Sequence, residues 1–242
     1  MTNVHGLAVV KNERGRYLQQ VLEWNSSFLD SMFIYDDDSF DGSRLLAEQL
    51  GCYAVKKEST VPSFSEDEVA FRRAALKAMQ ATVDMAMDDW IYVFDADEFL
   101  VSTSPTVMEG LRDAIDNAEQ RELSAIELSF KEIFHIDQLG VWYREDGFWD
   151  TIKHVRLFKH KFANLFFYDS VAKVITNRYC ADNLTMLHFG YATYQDRVVK
   201  HERYSATTNH NPKHVASILK PTAVLKRWDG MGPLLCTQLE LL

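Results

Sequence analysis

Two aspartates separated by one residue follow an apolar stretch in the middle of the chain. Trp90–Phe94 is short and rich in aromatic and β-branched residues, which predicts a buried strand. Asp95 and Asp97 come directly after it, and residues i and i+2 of an extended chain share a face, so both carboxylates can reach one ligand. Two carboxylates this close repel each other, and a hard divalent cation removes that repulsion. The pattern favours a metal site over an acidic turn that only solvates the strand end.

The composition limits the class of protein. The chain has 242 residues, 47% hydrophobic and 25% charged, which predicts a globular protein with one large α/β domain. Its net charge of −9 argues against a nucleic acid or an anionic membrane as a partner, because those surfaces require a basic face. Its 3 cysteines are widely spaced and indicate neither a disulfide framework nor a zinc site. Nothing resembles a signal peptide or the ~20-residue apolar stretch of a spanning helix, so we expect a cytoplasmic protein without a membrane span.

Strands and helices alternate through the first half of the sequence. Short apolar stretches at Leu7–Val10, Met32–Tyr35 and Tyr53–Val55 predict strands, the second of them buried. Segments with apolar residues at helical spacing lie between them, and a long helix is predicted over Glu68–Met87. This alternation is typical of an α/β fold whose parallel sheet is covered by helices.

The second half, residues 124–242, has a different character. Alternating stretches at Ile126–Phe130 and Val155–Lys159 predict half-exposed strands, and Pro212–Trp228 is predicted to be helical with an interruption at Pro221. No linker, internal repeat or low-complexity segment separates the halves, so we expect a single domain. The apolar residues Pro233–Leu242 need a covering surface, and contact with a second copy of the chain is an expectation.

Three motifs in series carry a resemblance to a known family. Val10–Glu13, Tyr35–Ser43 and Trp90–Leu100 occur in the order and rough spacing of family 2-like glycosyltransferases with the GT-A fold. The chain is most similar to small bacterial and phage-type enzymes, which have Lys-Asn-Glu near the start and Asp-Ala-Asp-Glu-Phe-Leu after the fourth strand. The resemblance extends to the last of these motifs and is loose from Ser124 onward.

The resemblance implies an architecture and a reaction. The architecture is one GT-A domain over residues 1–242, with a mostly parallel central sheet flanked by helices. Residues 1–123 would form the Rossmann-like, nucleotide-sugar-binding half, and residues 124–242 the acceptor-side half with C-terminal helices. The reaction would be transfer of a sugar from a nucleoside-diphosphate sugar, a UDP-sugar by expectation, to a hydroxyl of a glycan, lipid or protein acceptor. The implied cofactor is Mn²⁺ or Mg²⁺.

The family's site residues carry over position by position. The loop after the first strand would place three residues beside the nucleotide: Lys11, Asn12 and Glu13. An acid after the second strand commonly binds the base or its ribose, which here means Asp36, Asp37 or Asp38. The family usually has glycine at the last of these positions. Asp97 would be a direct metal ligand, and Asp95 would contact the ribose or a metal-bound water.

His188 is a candidate for an additional metal ligand. It ends the apolar stretch Leu184–Leu187 and precedes Phe189 and Gly190, so a strand end would deliver it to the ligand-binding edge of the sheet. Some GT-A enzymes complete the metal site with a late histidine. The alternative interpretation is a histidine that only hydrogen-bonds a neighbouring loop.

Other charged residues of the second half are candidates for catalysis. If the reaction inverts the anomeric centre, a carboxylate must accept the proton of the acceptor hydroxyl. Asp169 is the first candidate, because the aromatic residues Phe166–Tyr168 would raise its basicity by desolvation. The alternatives are Asp146 and Asp150. Three cations either neutralise the leaving diphosphate or are ordinary surface charges: Arg156, Lys200 and Arg203.

Two other function classes stay open at this point. A phosphatase-like, metal-dependent hydrolase also has a buried strand that ends in Asp-x-Asp. Its motif usually continues into a Thr or Gly turn near the chain start, whereas here Asp97 is followed by Glu98-Phe99-Leu100. A non-catalytic nucleotide-sugar-binding protein would share the first half of the chain.

Overall fold

A computed structural model describes residues 2–137, 140–145, 153–163, 178–205, 212–219 and 224–228 of the chain. The first four strands are β1 (Val4–Val10), β2 (Ser31–Asp36), β3 (Tyr53–Lys56) and β4 (Trp90–Phe94). They form a parallel sheet in the order β3-β2-β1-β4. The carboxyl ends of all four strands therefore lie at one edge, which is where open α/β sheets bind ligands.

Helices cover both faces of this sheet. They are α1 (Leu18–Asn25), α2 (Ser43–Gln49), α3 (Glu68–Thr82) and α4 (Val107–Gln120). Trp90, Tyr92 and Phe94 of β4 pack in the cluster that contains residues of α1, α2 and α4. Ile91 and Val93 pack on the other face, in the cluster that contains residues of α3. β4 is thus apolar throughout because both of its faces are buried.

The second half of the chain extends the sheet with mixed pairing. The remaining strands are β5 (Glu98–Ser102), which precedes this half, and β6 (Ala125–Asp137), β7 (Gly140–Arg144), β8 (Lys153–Lys159), β9 (Arg178–His188) and β10 (Leu225–Arg227) within it. The full order is β10-β7-β6-β8-β4-β1-β2-β3, and β9 lies between β5 and β6. Two further helices are α5 (Tyr194–Ser205) and α6 (Pro212–Ile218). The predicted α/β class, with a mostly parallel central sheet flanked by helices, is confirmed.

Two of the predicted helices have different limits in the structure. The helix predicted over Pro212–Trp228 is wrong in its second part, because Leu225–Arg227 is an edge strand that pairs antiparallel with β7. The helix predicted over Glu68–Met87 ends at Thr82, where Val83 adopts an extended backbone with φ −100° and ψ 128°. The apolar Pro233–Leu242 segment lies outside the described residues. Among the helices that are described, none has the length and apolar character needed to cross a membrane.

The start of α4 allows a test of this fold. The Thr106 side chain accepts a hydrogen bond from the Glu109 amide at 3.1 Å, and the Glu109 carboxylate accepts one from the Thr106 amide at 3.1 Å. We expect Thr106→Ala to lower the free energy of unfolding by about 1 kcal/mol, because the Glu109 amide loses the hydroxyl that accepts its hydrogen bond. Urea denaturation measures this change. Thr103→Ala is the control, since Thr103 is exposed and its hydroxyl makes no hydrogen bond within the described residues, and an equal loss there would contradict the assignment.

Candidate active site

A cleft of about 420 Å³ opens at the carboxyl edge of the parallel strands. Its walls come from the loops after β1, β2 and β4, from α3, from the end of β9 and from α5. Charged residues dominate the lining: Lys11, Glu13, Arg16, Asp37, Glu68, Arg72, Asp95, Asp97, His188 and Lys200. The structure therefore brings the early motifs and the late histidine into one cavity.

The turn after β4 holds both aspartates of the Asp-x-Asp pair in place. The Asp95 amide donates to the Glu98 carboxylate at 3.0 Å, and the Glu98 amide donates to the Asp95 carbonyl at 3.1 Å. The Asp97 carbonyl accepts from the Phe189 amide at 2.8 Å, which joins the turn to the end of β9. The Phe189 ring is fully buried against Tyr17 and Phe99, so this connection is anchored in the core.

Asp95 lies between two arginines. Its carboxylate oxygens are 3.5 Å from Arg72 and 3.7 Å from Arg156. Burial works against the charged form, but these guanidinium groups outweigh it and lower the pKa of Asp95. Arg156 also contacts the Glu98 carboxylate, where burial raises the pKa of Glu98 and Arg156 opposes that rise. Asp95 is therefore an ionised acceptor at neutral pH.

Asp97 faces the late histidine. Its Oδ1 is 3.5 Å from His188 Nε2, and its Oδ2 is 3.7 Å from Arg16. Burial again works against ionisation, yet His188, Lys200 and Arg16 outweigh it and lower the pKa of Asp97. Asp97 is 8% exposed, so it presents a charged carboxylate to the cleft from an otherwise buried position.

His188 is held from its other side by Glu132. The imidazole Nδ1 is 2.5 Å from the Glu132 carboxylate, and Glu132 and His188 are partners in the parallel pairing of β6 with β9. Burial and the charge of Lys200 lower the pKa of His188. The carboxylates of Glu132 and Asp97 have the larger effect and raise that pKa to about 10. A carboxylate behind a histidine fixes the ring so that its second nitrogen points at a ligand, as in many metal sites.

Gly190 leaves open the space between these groups. A Cβ atom at this position would lie 2.0 Å from Lys200 Nζ, 2.6 Å from His188 Nε2 and 3.0 Å from Asp97 Oδ2. Three polar side chains thus converge on a point that only glycine keeps free. This glycine therefore leaves room beside a carboxylate, an imidazole and an ammonium group.

Asp97 and His188 would fit a divalent cation as a pair once the imidazole gives up its Nε2 proton, because only the neutral ring is a metal ligand. Two neighbouring ligands of an ion with bonds of about 2.1 Å lie about 3 Å apart, close to the 3.5 Å between Asp97 Oδ1 and His188 Nε2. Within the described residues, no three His, Cys, Asp or Glu side chains are arranged to hold a metal by themselves. A cation bound here would need further oxygen ligands from water or from a substrate. Asp95, on the other side of the turn, could contact a water bound to that cation.

The loop after β1 contributes two of its three predicted residues to the cleft. Lys11 donates to Asp37 at 3.1 Å and lines the cavity. Glu13 also lines the cavity. Burial raises the pKa of Glu13 to about 7; the charge of Asp97 adds to this rise, and Arg16 opposes it. Asn12 lies outside the cavity lining, because its side chain accepts from the Phe40 amide at 3.0 Å and fixes the loop after β2.

The three acids after β2 have three different positions. Asp37 is 1% exposed and lines the cleft; one of its carboxylate oxygens accepts from Lys11 and from the Phe64 amide, and the other makes no hydrogen bond within the described residues. Asp36 is buried outside the lining and accepts from the Ser39 amide. Asp38 points away to two lysines, Lys56 at 2.9 Å and Lys57 at 3.1 Å. Its φ of 58° is the left-handed conformation for which glycine is the usual choice.

The other predicted site residues do not line the described part of the cavity. Arg156 lies beneath Asp95 and is not part of the cavity lining, so it acts on the site through Asp95 and Glu98. The candidate base Asp169, the alternatives Asp146 and Asp150, and the side chain of Arg203 lie outside the described residues.

Several residues of the site were missed by sequence reasoning. They are Arg16, Arg72, Glu98 and Glu132. Glu98 follows the Asp-x-Asp pair directly and could have been suspected from that position alone. Arg16 lies in a loop, Arg72 on a helix and Glu132 on a strand. Nothing in the sequence around these three residues indicates that they belong to the site.

Comparisons with known proteins show similarity at the level of three-dimensional structure. No protein-family model matches the chain, and no curated protein matches it. S. aureus TarS (residues 1–349) is 13% identical with a TM-score of 0.47, over 90% of this chain and 69% of that chain. A 4-diphosphocytidyl-2C-methyl-D-erythritol synthase is 13% identical with a TM-score of 0.48, over 82% of this chain and 96% of that chain.

A third similar structure was solved with ligands. Glucosyl-3-phosphoglycerate synthase from Mycobacterium tuberculosis, in complex with Mn²⁺, UDP and glucosyl-3-phosphoglycerate, is 13% identical with a TM-score of 0.39. The match covers 54% of this chain and spans 44% of that chain, less than half of its length.

Gly190 provides a test of the candidate site. We expect Gly190→Ala to weaken the binding of Mn²⁺ together with UDP by about 10- to 100-fold, because the new methyl group would push His188 and Lys200 away from Asp97. Isothermal titration calorimetry measures this affinity. The matched control is Gly15→Ala, since a Cβ at Gly15 meets no atom within 4 Å. Unchanged binding by the Gly190 variant would mean that ligands do not use this space.

Proposed function

We propose that this protein is a glycosyltransferase of the GT-A type that transfers a sugar from a nucleoside-diphosphate sugar to an acceptor hydroxyl, with Mn²⁺ or Mg²⁺ as cofactor. The observation that carries the proposal is the convergence of Asp97 and His188, around the space left by Gly190, in the same cavity as the buried acceptor Asp37. The two ends of this cavity suit the two ends of a nucleoside diphosphate.

The donor base would lie beside Asp37. A buried carboxylate oxygen without a hydrogen bond in the described part of the chain has lost its hydration, and a ligand N–H or O–H group would restore it. Uracil, thymine and guanine present such an N–H group, and the ribose presents hydroxyls. Phe64 and Phe71 line the same end of the cavity and offer apolar surface for the base. A UDP-sugar is consistent with this arrangement and is the donor we propose.

The diphosphate would lie beside Asp97. Asp97 and His188 would hold the cation there, and Asp95 would contact the ribose or a metal-bound water. When bound, the cation offsets the negative charge that grows on the departing diphosphate. Arg16 and Lys200 add positive charge at the same end of the cavity. Arg72 and Arg156 keep Asp95 ionised, which preserves it as a hydrogen-bond acceptor.

The acceptor would enter from the side of the second half of the chain. Its hydroxyl proton needs a base if the reaction inverts the anomeric centre, and Asp169 remains our candidate for this role. A glycan, lipid or protein can supply the hydroxyl. Incubation with UDP-, GDP- and dTDP-sugars plus Mn²⁺, with transfer and hydrolysis scored separately, tests the proposal. Release of phosphate from simple phosphate esters would point to the phosphatase-like hydrolase, and nucleotide binding without turnover to a non-catalytic binding protein.

Asp97 tests the metal role. We expect Asp97→Asn to abolish transfer and to remove the dependence of UDP binding on Mn²⁺, because the amide loses the charge that pairs with the cation. Calorimetric titration of UDP with and without Mn²⁺ measures this dependence, and thermal unfolding checks the fold. A variant that still needs Mn²⁺ for full UDP affinity would show that Asp97 is not a metal ligand.

Asp37 tests the position of the base. We expect Asp37→Asn to weaken UDP binding by about tenfold and pyrophosphate binding much less, since the contact is to the base or ribose. The control is Asp38→Asn, because the neighbouring carboxylate points to Lys56 and Lys57 instead of into the cleft. Fluorescence or calorimetric titration supplies both affinities. Equal losses for UDP and pyrophosphate would assign Asp37 to the phosphates.

A further inference from the structure

Lys200 occupies a central place in the candidate site. It lies on α5, its Nζ is 3.2 Å from His188 Nε2, and it is 4.2 Å from the centre of the Tyr191 ring. Nζ and Asp97 Oδ2 both lie within 3.0 Å of the point where a Cβ on residue 190 would sit. The ammonium group is therefore beside the same two side chains that would hold a divalent cation.

Within the described residues, Lys200 forms no direct ion pair with a carboxylate, and its charge acts on Asp97 and Glu13 from beyond ion-pair distance. Within the described residues, the other cations of the cavity lining each form an ion pair: Lys11 with Asp37, Arg16 with Glu13, Asp97 and Asp196, and Arg72 with Glu68 and Asp95. No carboxylate of that part of the chain lies within ion-pair distance of Lys200. A half-buried ammonium group without such a partner favours an anionic ligand.

The position of Lys200 is set by the helix that carries it. Thr193 and Asp196 exchange hydrogen bonds at the start of α5, with the Asp196 amide donating to the Thr193 hydroxyl at 3.0 Å. Asp196 also pairs with Arg16 at 3.1 Å, and Arg197 donates to the carbonyl groups of Phe134 and Tyr191. These contacts fix the helix against the loop after β1 and against β6. The fixed helix places the Lys200 side chain in the cleft.

We propose that the ammonium group of Lys200 is a resident cation of the Asp97–His188 site, which binds the diphosphate directly and competes with a divalent cation for this position. The identity of the anion as a diphosphate rests on the proposed function. A divalent cation that binds without nucleotide must approach Asp97 against the repulsion of Lys200. Once the diphosphate is present, its oxygens can ligate the cation and accept from Lys200 at the same time, so the competition is relieved.

The first arm of the test measures Mn²⁺ binding to the nucleotide-free protein. Lys200→Met keeps the apolar stem and removes the charge, so we expect Mn²⁺ to bind about tenfold more tightly to this variant than to the wild type. The control is Lys77→Met, which removes an exposed lysine of α3 and should leave Mn²⁺ affinity unchanged. Electron paramagnetic resonance of free Mn²⁺ gives both affinities without any need for turnover.

The second arm measures pyrophosphate binding in EDTA. With no divalent cation present, we expect Lys200→Met to bind inorganic pyrophosphate about tenfold more weakly than the wild type, and Lys77→Met to bind it equally well. Thermal unfolding checks the fold, and Lys200→Gln provides the same comparison if the methionine variant unfolds.

Either arm can overturn the proposal. Mn²⁺ affinity that stays unchanged in the Lys200 variants would exclude competition, and unchanged pyrophosphate affinity would exclude direct binding of the anion. Failure of the wild type to bind pyrophosphate in EDTA would overturn it as well. In each case, sugar transfer from a nucleotide sugar with Mn²⁺ by the same wild-type protein would show that the proposed function stands, whereas absence of both UDP binding and transfer would remove both.

Discussion

The candidate active site depends on the register of one strand, β9, which lies between β5 and β6. Antiparallel pairing with β5 places His188 opposite Glu98, and parallel pairing with β6 places it beside Glu132. Asp97 immediately precedes β5, so the same pairing brings its Oδ1 to 3.5 Å from His188 Nε2. A shift of one residue in this register would turn His188 to the opposite face of the sheet and separate it from Asp97.

Charge and space in the cleft follow from this arrangement. Packing around β4 buries Asp95 and Asp97, which makes their charged forms costly. Each carboxylate stays ionised because neighbouring cations offset that cost. Gly190 keeps the volume between Asp97, His188 and Lys200 open. A site with ionised carboxylates, several basic side chains and free volume suits a ligand that combines a cation with a diphosphate.

The amino-acid sequence determined the α/β class and the position of the acidic pair. Trp90–Phe94 reads as a buried strand because both of its faces meet apolar residues, and this pattern is local in the chain. Residues that follow a parallel strand reach the ligand-binding edge of the sheet, so Asp95 and Asp97 were placed correctly at that edge. His188 was also placed at this edge from its position at the end of a predicted strand. Its pairing partner could not be read in this way, because the register between distant strands is not encoded in either strand alone.

Only the tertiary structure decided which neighbours complete the site. Arg16 and Glu132 reach Asp97 and His188 from a loop and from β6, through contacts between segments far apart in the chain. Of the three acids after β2, Asp37 lines the cleft, whereas the left-handed backbone at Asp38 directs the Asp38 carboxylate outward to lysines. The end of the described chain, Leu225–Arg227, became a strand because the free edge of β7 supplies hydrogen bonds, an influence that outweighs a local helical pattern.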